Sequence, residues 1–143
     1  MLLLIMGTQK IVQAMAESIN ADLIDITKNI HPQLDDYDII GLSSGIYFHS
    51  FHAGIKNLLD SDCISSTEKV FLVATCGIGY CDYTKGIQKL LAAKGISYLG
   101  SFQCRGYDTF GIFSKIGGIA KEHPNERDLV NAQAFAKNIM SIK

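Results

Sequence analysis

Tryptophan is missing from this chain, proline occurs twice (Pro32 and Pro124), and neither sign of charge gathers into a block. Each shortage closes off something. Lysine and arginine total 13 against 14 for aspartate and glutamate, so duplex nucleic acid is a poor partner, because binding it needs concentrated positive charge to displace counterions. No apolar run approaches the roughly 20 residues of a membrane helix, so no membrane partner is expected. The apolar opening Met1-Leu-Leu-Leu-Ile-Met6 lacks a basic lead-in and a small-residue cleavage pattern, which points to a cytoplasmic protein. Four cysteines (Cys63, Cys76, Cys81 and Cys104) include no pair at the spacing of a redox or zinc motif, and reduced thiols in a reducing compartment are the expectation. No Ser, His and Asp set stands at a recognisable nucleophile turn, so hydrolysis has no positive support.

What is present is apolar. Hydrophobic residues make up 48% of the chain and charged ones 19%, a balance that argues for buried strands covered on both faces and against disorder. A chain of 143 residues fits one domain, here 1–143, able to bury roughly two thirds of its unfolded surface. Strand-like and helix-like segments alternate throughout, the pattern of a parallel sheet with crossover helices. Strands are predicted over residues 2–6, 21–26, 37–42, 69–74 and 96–104. Helices are predicted over 8–20, with Ile11, Val12, Met15, Ala16 and Ile19 on one face, and over 51–60, burying Ile55, Leu58 and Leu59. A third starts near Asp82 as N-cap, packs Ile87, Leu90 and Leu91, and ends at Gly95. A last one opens at Asn125-Glu-Arg-Asp128 and turns Leu129, Ala132, Ala136 and Ile139 to the sheet. The third strand is expected to be central, since Ile39 and Ile40 are adjacent and both need cover.

Two strand ends carry the functional signal. Gly41-Leu-Ser-Ser-Gly-Ile-Tyr-Phe48 runs from an apolar strand into small hydroxyl residues, a glycine and two aromatics, and Val70-Phe-Leu-Val-Ala runs likewise into Thr75-Cys-Gly-Ile-Gly-Tyr80. Side by side, two such loops make a slot for a planar ring: rigid strands, close backbone approach and flat apolar walls. Between the fifth strand and the final helix lie residues 105–124, twenty residues with four glycines. That segment reads equally as a flap packed by Phe110, Ile112, Phe113 and Ile116 or as a ligand contact. His49 and His52 with Cys76 and Cys81 offer metal-ligand types at a spacing that fits no known motif. Asp82 and Asp108 read first as a helix cap and a turn former, and Cys76 as a small apolar thiol after a buried strand.

Five strands with alternating helices and aromatic-bearing loops after the third and fourth resemble the flavodoxin family. The resemblance is sharpest in residues 41–48 and 75–80, in Cys104-Arg-Gly-Tyr-Asp-Thr-Phe-Gly111, and in Gly117-Gly118-Ile119 with His123-Pro-Asn125. This last run is similar to a bacterial subgroup of small, short-chain flavodoxins. The fold so implied is α/β: a doubly wound five-stranded parallel sheet of order 2-1-3-4-5 with helices on both faces. The implied cofactor is FMN, with Ser43, Ser44, Gly45, Ile46, Tyr47 and Phe48 along one side of its ring and Thr75, Cys76, Gly77, Ile78, Gly79 and Tyr80 at its pyrimidine edge. Tyr47 and Tyr80 are the stacking candidates, and the Gly45-Ile46 peptide is the one expected to turn over on reduction.

At one place the chain departs from the family. Members carry a phosphate loop patterned Thr or Ser, any, Thr, Gly, any, Thr before the first helix, where this chain offers Met6-Gly7-Thr8. From Ile5, three residues span at most about 10 Å, and most of the donors that encircle a phosphate are missing. Gly7 and Thr8 match the end of the motif, and also suit a tight turn and an N-cap. The resemblance implies an FMN-binding electron carrier serving redox partner proteins. Two alternatives stand beside it: an FMN-dependent quinone or protoporphyrinogen reductase of the same fold, and a cofactor-free interaction module. The short phosphate loop favours the module, or a chain shortened at its start.

Overall fold

The computed structural model describes residues 2–5, 9–26, 28, 32–34, 36–47, 50–51, 53–65, 67–76, 83–105 and 126–142. Its strands are β1 (Leu2–Ile5), β2 (Asp22–Asp25), β3 (Ile39–Tyr47), β4 (Ser50–Phe51), β5 (Lys69–Cys76) and β6 (Ser97–Arg105). They form a sheet of order β2-β1-β3-β5-β6, parallel throughout this path, with β4 pairing β3 antiparallel. Four helices accompany it among the described residues: α1 (Gln9–Ile19), α2 (Ala53–Asp60), α3 (Lys85–Ala93) and α4 (Glu126–Ile142).

The two-residue period of the central strands divides their side chains between two cores. Ile40, Leu42, Val70, Leu72 and Ala74 pack with Ile55, Leu58 and Leu59 of α2 and with Ile87 and Leu91 of α3. Ile39, Phe71 and Val73 pack with Ile11, Val12, Met15 and Ala16 of α1 and with Ala132, Ala136 and Ile139 of α4. Adjacent Ile39 and Ile40 thus serve opposite faces, and both are buried because helices cover both. Leu129 of α4 is partly buried on the α1 side, and Glu126 and Asp128 lie in the first turn of α4, where the helix dipole favours them.

Several boundaries differ from the sequence reading, each for a local reason. Both central strands run further than expected, β3 to Tyr47 and β5 to Cys76, because each has a neighbour to pair with. Phe51 opens no helix; it sits in β4, opposite Ile46, and α2 starts at Ala53. The connection from β2 to β3 holds no helix among the described residues. Instead Ile26 and Leu34 drop singly into the core shared with α2 and α3, and the Tyr37 hydroxyl donates to the Asp22 carboxylate at 2.7 Å, which raises the pKa of the phenol. α3 begins at Lys85 with Thr84 before it, and the Thr84 hydroxyl accepts from Gln88 Nε2 at 2.7 Å. Asp82, the expected cap, lies outside the described residues.

The end of α3 follows the sequence closely. Gly95 has φ +71°, its N–H donates to Ala92 O, and Ile96 N–H donates to Leu91 O. This pair of bonds, with Ile96 and Leu91 buried in one cluster, is the Schellman arrangement. A Cβ added at Gly95 meets nothing within 4 Å, so substitution there tests backbone conformation alone. Gly95→Ala is expected to cost about 1 kcal/mol, read as a shift in urea midpoint without a change in slope.

Candidate functional site

The crevice follows from register. Pairing of β1 with β3 stops at Leu4↔Leu42, whereas β3 continues beside β5 as far as Gly45↔Thr75 and then folds back on β4 through Ile46↔Phe51 and Tyr47↔Ser50. Residues 44–47 therefore continue past the level of Ile5, the last residue of β1. α1, which follows β1, packs on one face, and α2, which follows β3, packs on the other. The strand order reverses between β1 and β3, and in open α/β sheets ligands bind outside the carboxyl ends of the strands at such a switch point, flavodoxin being a type example.

The described site residues are more strand than loop. Ser43 and Ser44 are fully buried, and the Ser44 hydroxyl donates to Gly45 O, so that hydroxyl is engaged by the backbone. Gly45 is half-buried at the last β3–β5 pair, and Ile46, also half-buried, packs on the α2–α3 core. Rotation of the Gly45-Ile46 peptide works against ladder pairs on both of its residues. Tyr47 ends β3 by pairing with Ser50. Thr75 is half-buried, and Cys76 is buried with its thiol donating to Cys104 O at 3.6 Å. The structure thus brings residues 43–47 beside 75–76. Gly7, Thr8, Phe48, Gly77, Ile78, Gly79 and Tyr80 lie outside the described residues, as do His49, His52, Cys81, Asp108 and the segment 106–125.

Sequence reasoning missed Gln103. Its side-chain oxygen accepts from Tyr83 N–H at 3.0 Å, fixing the end of the β5–α3 connection onto β6 beside the same sheet edge. A glutamine two residues before a strand end carries no local signal of a partner twenty residues away. Next to it, Cys104 stands opposite Thr75 in register. Burial, then the Asp128 carboxylate, then Cys76 push its thiol up to about 12. Among the described residues no group of three or more His, Cys, Asp or Glu gathers to hold a metal ion, and no helix is long and apolar enough to cross a membrane.

At the strand ends two half-buried positions, Gly45 and Thr75, pair across β3 and β5. β1 ends at Ile5 and α1 begins at Gln9, and the three intervening residues bring one hydroxyl.

No family model matches the chain. An uncharacterized protein of Methanocaldococcus jannaschii is 41% identical over 137 residues, covering 94% of this chain and 90% of that one. Among solved structures, rubredoxin oxygen:oxidoreductase of Desulfovibrio gigas aligns with 99% of this chain at a TM-score of 0.73 and 13% identity, and the chain spans only 35% of that protein's length. A Fusobacterium nucleatum flavodoxin bound to flavin mononucleotide aligns with 98% of this chain and 95% of its own at a TM-score of 0.67 and 13% identity. The chain belongs to one family with the M. jannaschii protein, and its fold is flavodoxin-like.

Proposed function

We propose that the chain is a cytoplasmic flavodoxin-like electron-transfer protein that takes FMN at the ends of β3 and β5 and serves redox partner proteins. The five strands of the parallel path are read as its doubly wound 2-1-3-4-5 sheet, within a single domain. The observation that carries this reading is that β3 continues past β1 at the switch point while staying paired with β5 as far as Gly45↔Thr75. The likeness to a flavodoxin bound to flavin mononucleotide supports it. FMN supplies one- or two-electron chemistry at its ring when bound. The chain's part is to hold the ring at the two strand ends, with residues 43–48 and 75–80 as walls, and to keep water from it.

A cofactor-free interaction module is the second reading, favoured by the three-residue β1–α1 connection. Titration separates the two. Added to FMN, the purified chain is expected to quench flavin fluorescence with a midpoint in the micromolar range, weaker than a fully anchored flavin. No quenching up to about 100 μM protein, a limit of roughly −5 kcal/mol, would remove the carrier reading and leave the module.

A further inference from the structure

Helices α2 and α3 are neighbours over the same core. Lys56 in the first turn of α2 is exposed, as are Lys85 and Lys89 of α3. All three stand where helix physics disfavours them. Neither helix has an acid in its first turn, and a lysine there sets positive charge at the positive end of the dipole. Lys85 and Lys89, four apart, put like charges side by side on one face. α4 shows the ordinary arrangement, with Glu126 and Asp128 in its first turn. The one ion pair among the described residues joins Lys94 to Asp62. None of the three lysines is therefore neutralised by a described carboxylate, Asp60 one turn on from Lys56 included.

Gly86 is a separate oddity on the same surface. It lies in the first turn of α3, exposed, and a Cβ added there meets nothing within 4 Å. Packing does not call for glycine at this position, yet glycine in a helix is less stable than alanine. Being three and four residues from Lys89, Gly86 and Lys85 adjoin it on the helix surface. Further along, the exposed residues of α3 are Ala92 and Ala93, so short side chains leave the backbone open between and beyond the two lysines. Local choices that cost stability, gathered on one surface, are the mark of a functional site.

We infer that the outward face of α2 and α3, centred on Lys56, Lys85 and Lys89, docks a protein that presents clustered carboxylates. Carboxylates set between the lysines relieve their mutual repulsion, and the backbone at Gly86 admits close approach. A single exposed lysine contributes little, but three at one contact act together on the rate of encounter, and that attraction falls with salt. Nucleic acid fits less well, since three lysines displace few counterions. The inference stands on these two helices alone and holds for the carrier and the module alike.

The test titrates a labelled deca-glutamate peptide with the full chain and reads fluorescence anisotropy at low and moderate salt. Two triple variants remove the same charge: Lys56→Gln/Lys85→Gln/Lys89→Gln on the face, and Lys28→Gln/Lys69→Gln/Lys137→Gln at exposed positions elsewhere. The peptide is expected to bind at low salt and to be weakened about tenfold by the face variant but less than about twofold by the other. Moderate salt is expected to weaken it too. The face variant relieves charge set against the dipole, so its urea midpoint should not fall, and lost binding is then not lost folding. Gly86→Gln, which adds bulk without charge, is expected to raise the midpoint and to weaken binding about threefold. No binding at low salt, equal losses in the two triple variants, or a Gly86→Gln protein that binds like the unaltered chain each overturns the inference. So does tighter binding of a single-stranded DNA decamer to the same face, or a dimer seen in sedimentation that the face variant abolishes, which would assign the face to nucleic acid or to a second copy.

Discussion

Replacing Phe71 by alanine is expected to lower the unfolding free energy by about 3–5 kcal/mol, toward the upper end of that range. Phe71 is fully buried in the middle of β5, and its partners in register on both neighbouring strands are glycines, Gly41 on β3 and Gly100 on β6. Neither brings a side chain to that row of the sheet. Over Gly100 the space is taken by Phe135 and Ile139 of α4, 3.8 and 3.9 Å from where a Cβ would stand, and the Phe71 ring meets Phe135 edge-on at 5.9 Å with the planes at 64°. Phe135 in turn leans on Phe102 at 5.8 Å. Alanine would leave three adjacent positions with nothing larger than a methyl group. Collapse is obstructed: β5 is hydrogen-bonded on both edges, and α4 cannot descend while Ala132, Ala136 and Ile139 already touch the sheet side. The cost of a large-to-small change rises with the cavity that survives it. Urea unfolding followed by circular dichroism measures the effect, with Val130→Ala as a control. Val130 is 62% exposed, and its change is expected to stay within about 0.5 kcal/mol. A Phe71→Ala loss of similar size to the control would show that the glycine row is not what the ring supports.

The glycine row also marks the limit of what the sequence discloses. That residues 69–74 form a buried strand is legible, because Val70 to Ala74 is a continuous apolar run of strand length. That Phe71 lies between Gly41 and Gly100 is not, because register between distant segments is set by pairing, and a bulge between Val70 and Phe71 against β6 shifts it by one. The helices α1, α3 and α4 are legible in their buried faces, since 3.6-residue spacing is a local property. The start of α3 is not: Asp82 and Thr84 are both plausible caps, and nothing local chooses between them. Ser43, Ser44 and Gly45 show the same limit at the site. Small polar residues after an apolar run read as a loop, yet they complete a strand here because β5 lies alongside through Thr75. Their hydroxyls are buried and not presented outward as a loop would present them. The two-residue β4 has no periodicity to detect at all.

Cys104 is expected to resist alkylation in the native protein by about three orders of magnitude relative to a free thiol at pH 8. The nucleophile is the thiolate, and a thiol pushed up to about 12 is ionised at pH 8 to about one part in 10⁴, against roughly a tenth or more for an ordinary cysteine. Three causes act together: burial at the end of β6, the Asp128 carboxylate in the first turn of α4, and the neighbouring Cys76. Iodoacetamide labelling of folded protein, read by peptide mass spectrometry against glutathione in the same tube, measures the rate. It should rise about tenfold per pH unit, and it should rise at fixed pH in Asp128→Asn, which removes the second cause. Linkage gives a second readout. The folded thiol holds its proton to higher pH than the unfolded one, whose ordinary value is 9.0, so between these limits the unfolded state binds fewer protons and stability falls as pH rises. The contribution is fully present below pH 9 and is lost as pH climbs toward about 12, and Cys104→Ser should flatten that decline. Labelling of native Cys104 at the glutathione rate would overturn the assignment. Because Cys104 stands opposite Thr75, a neutral thiol keeps that strand end uncharged, where a thiolate would add negative charge near Asp128.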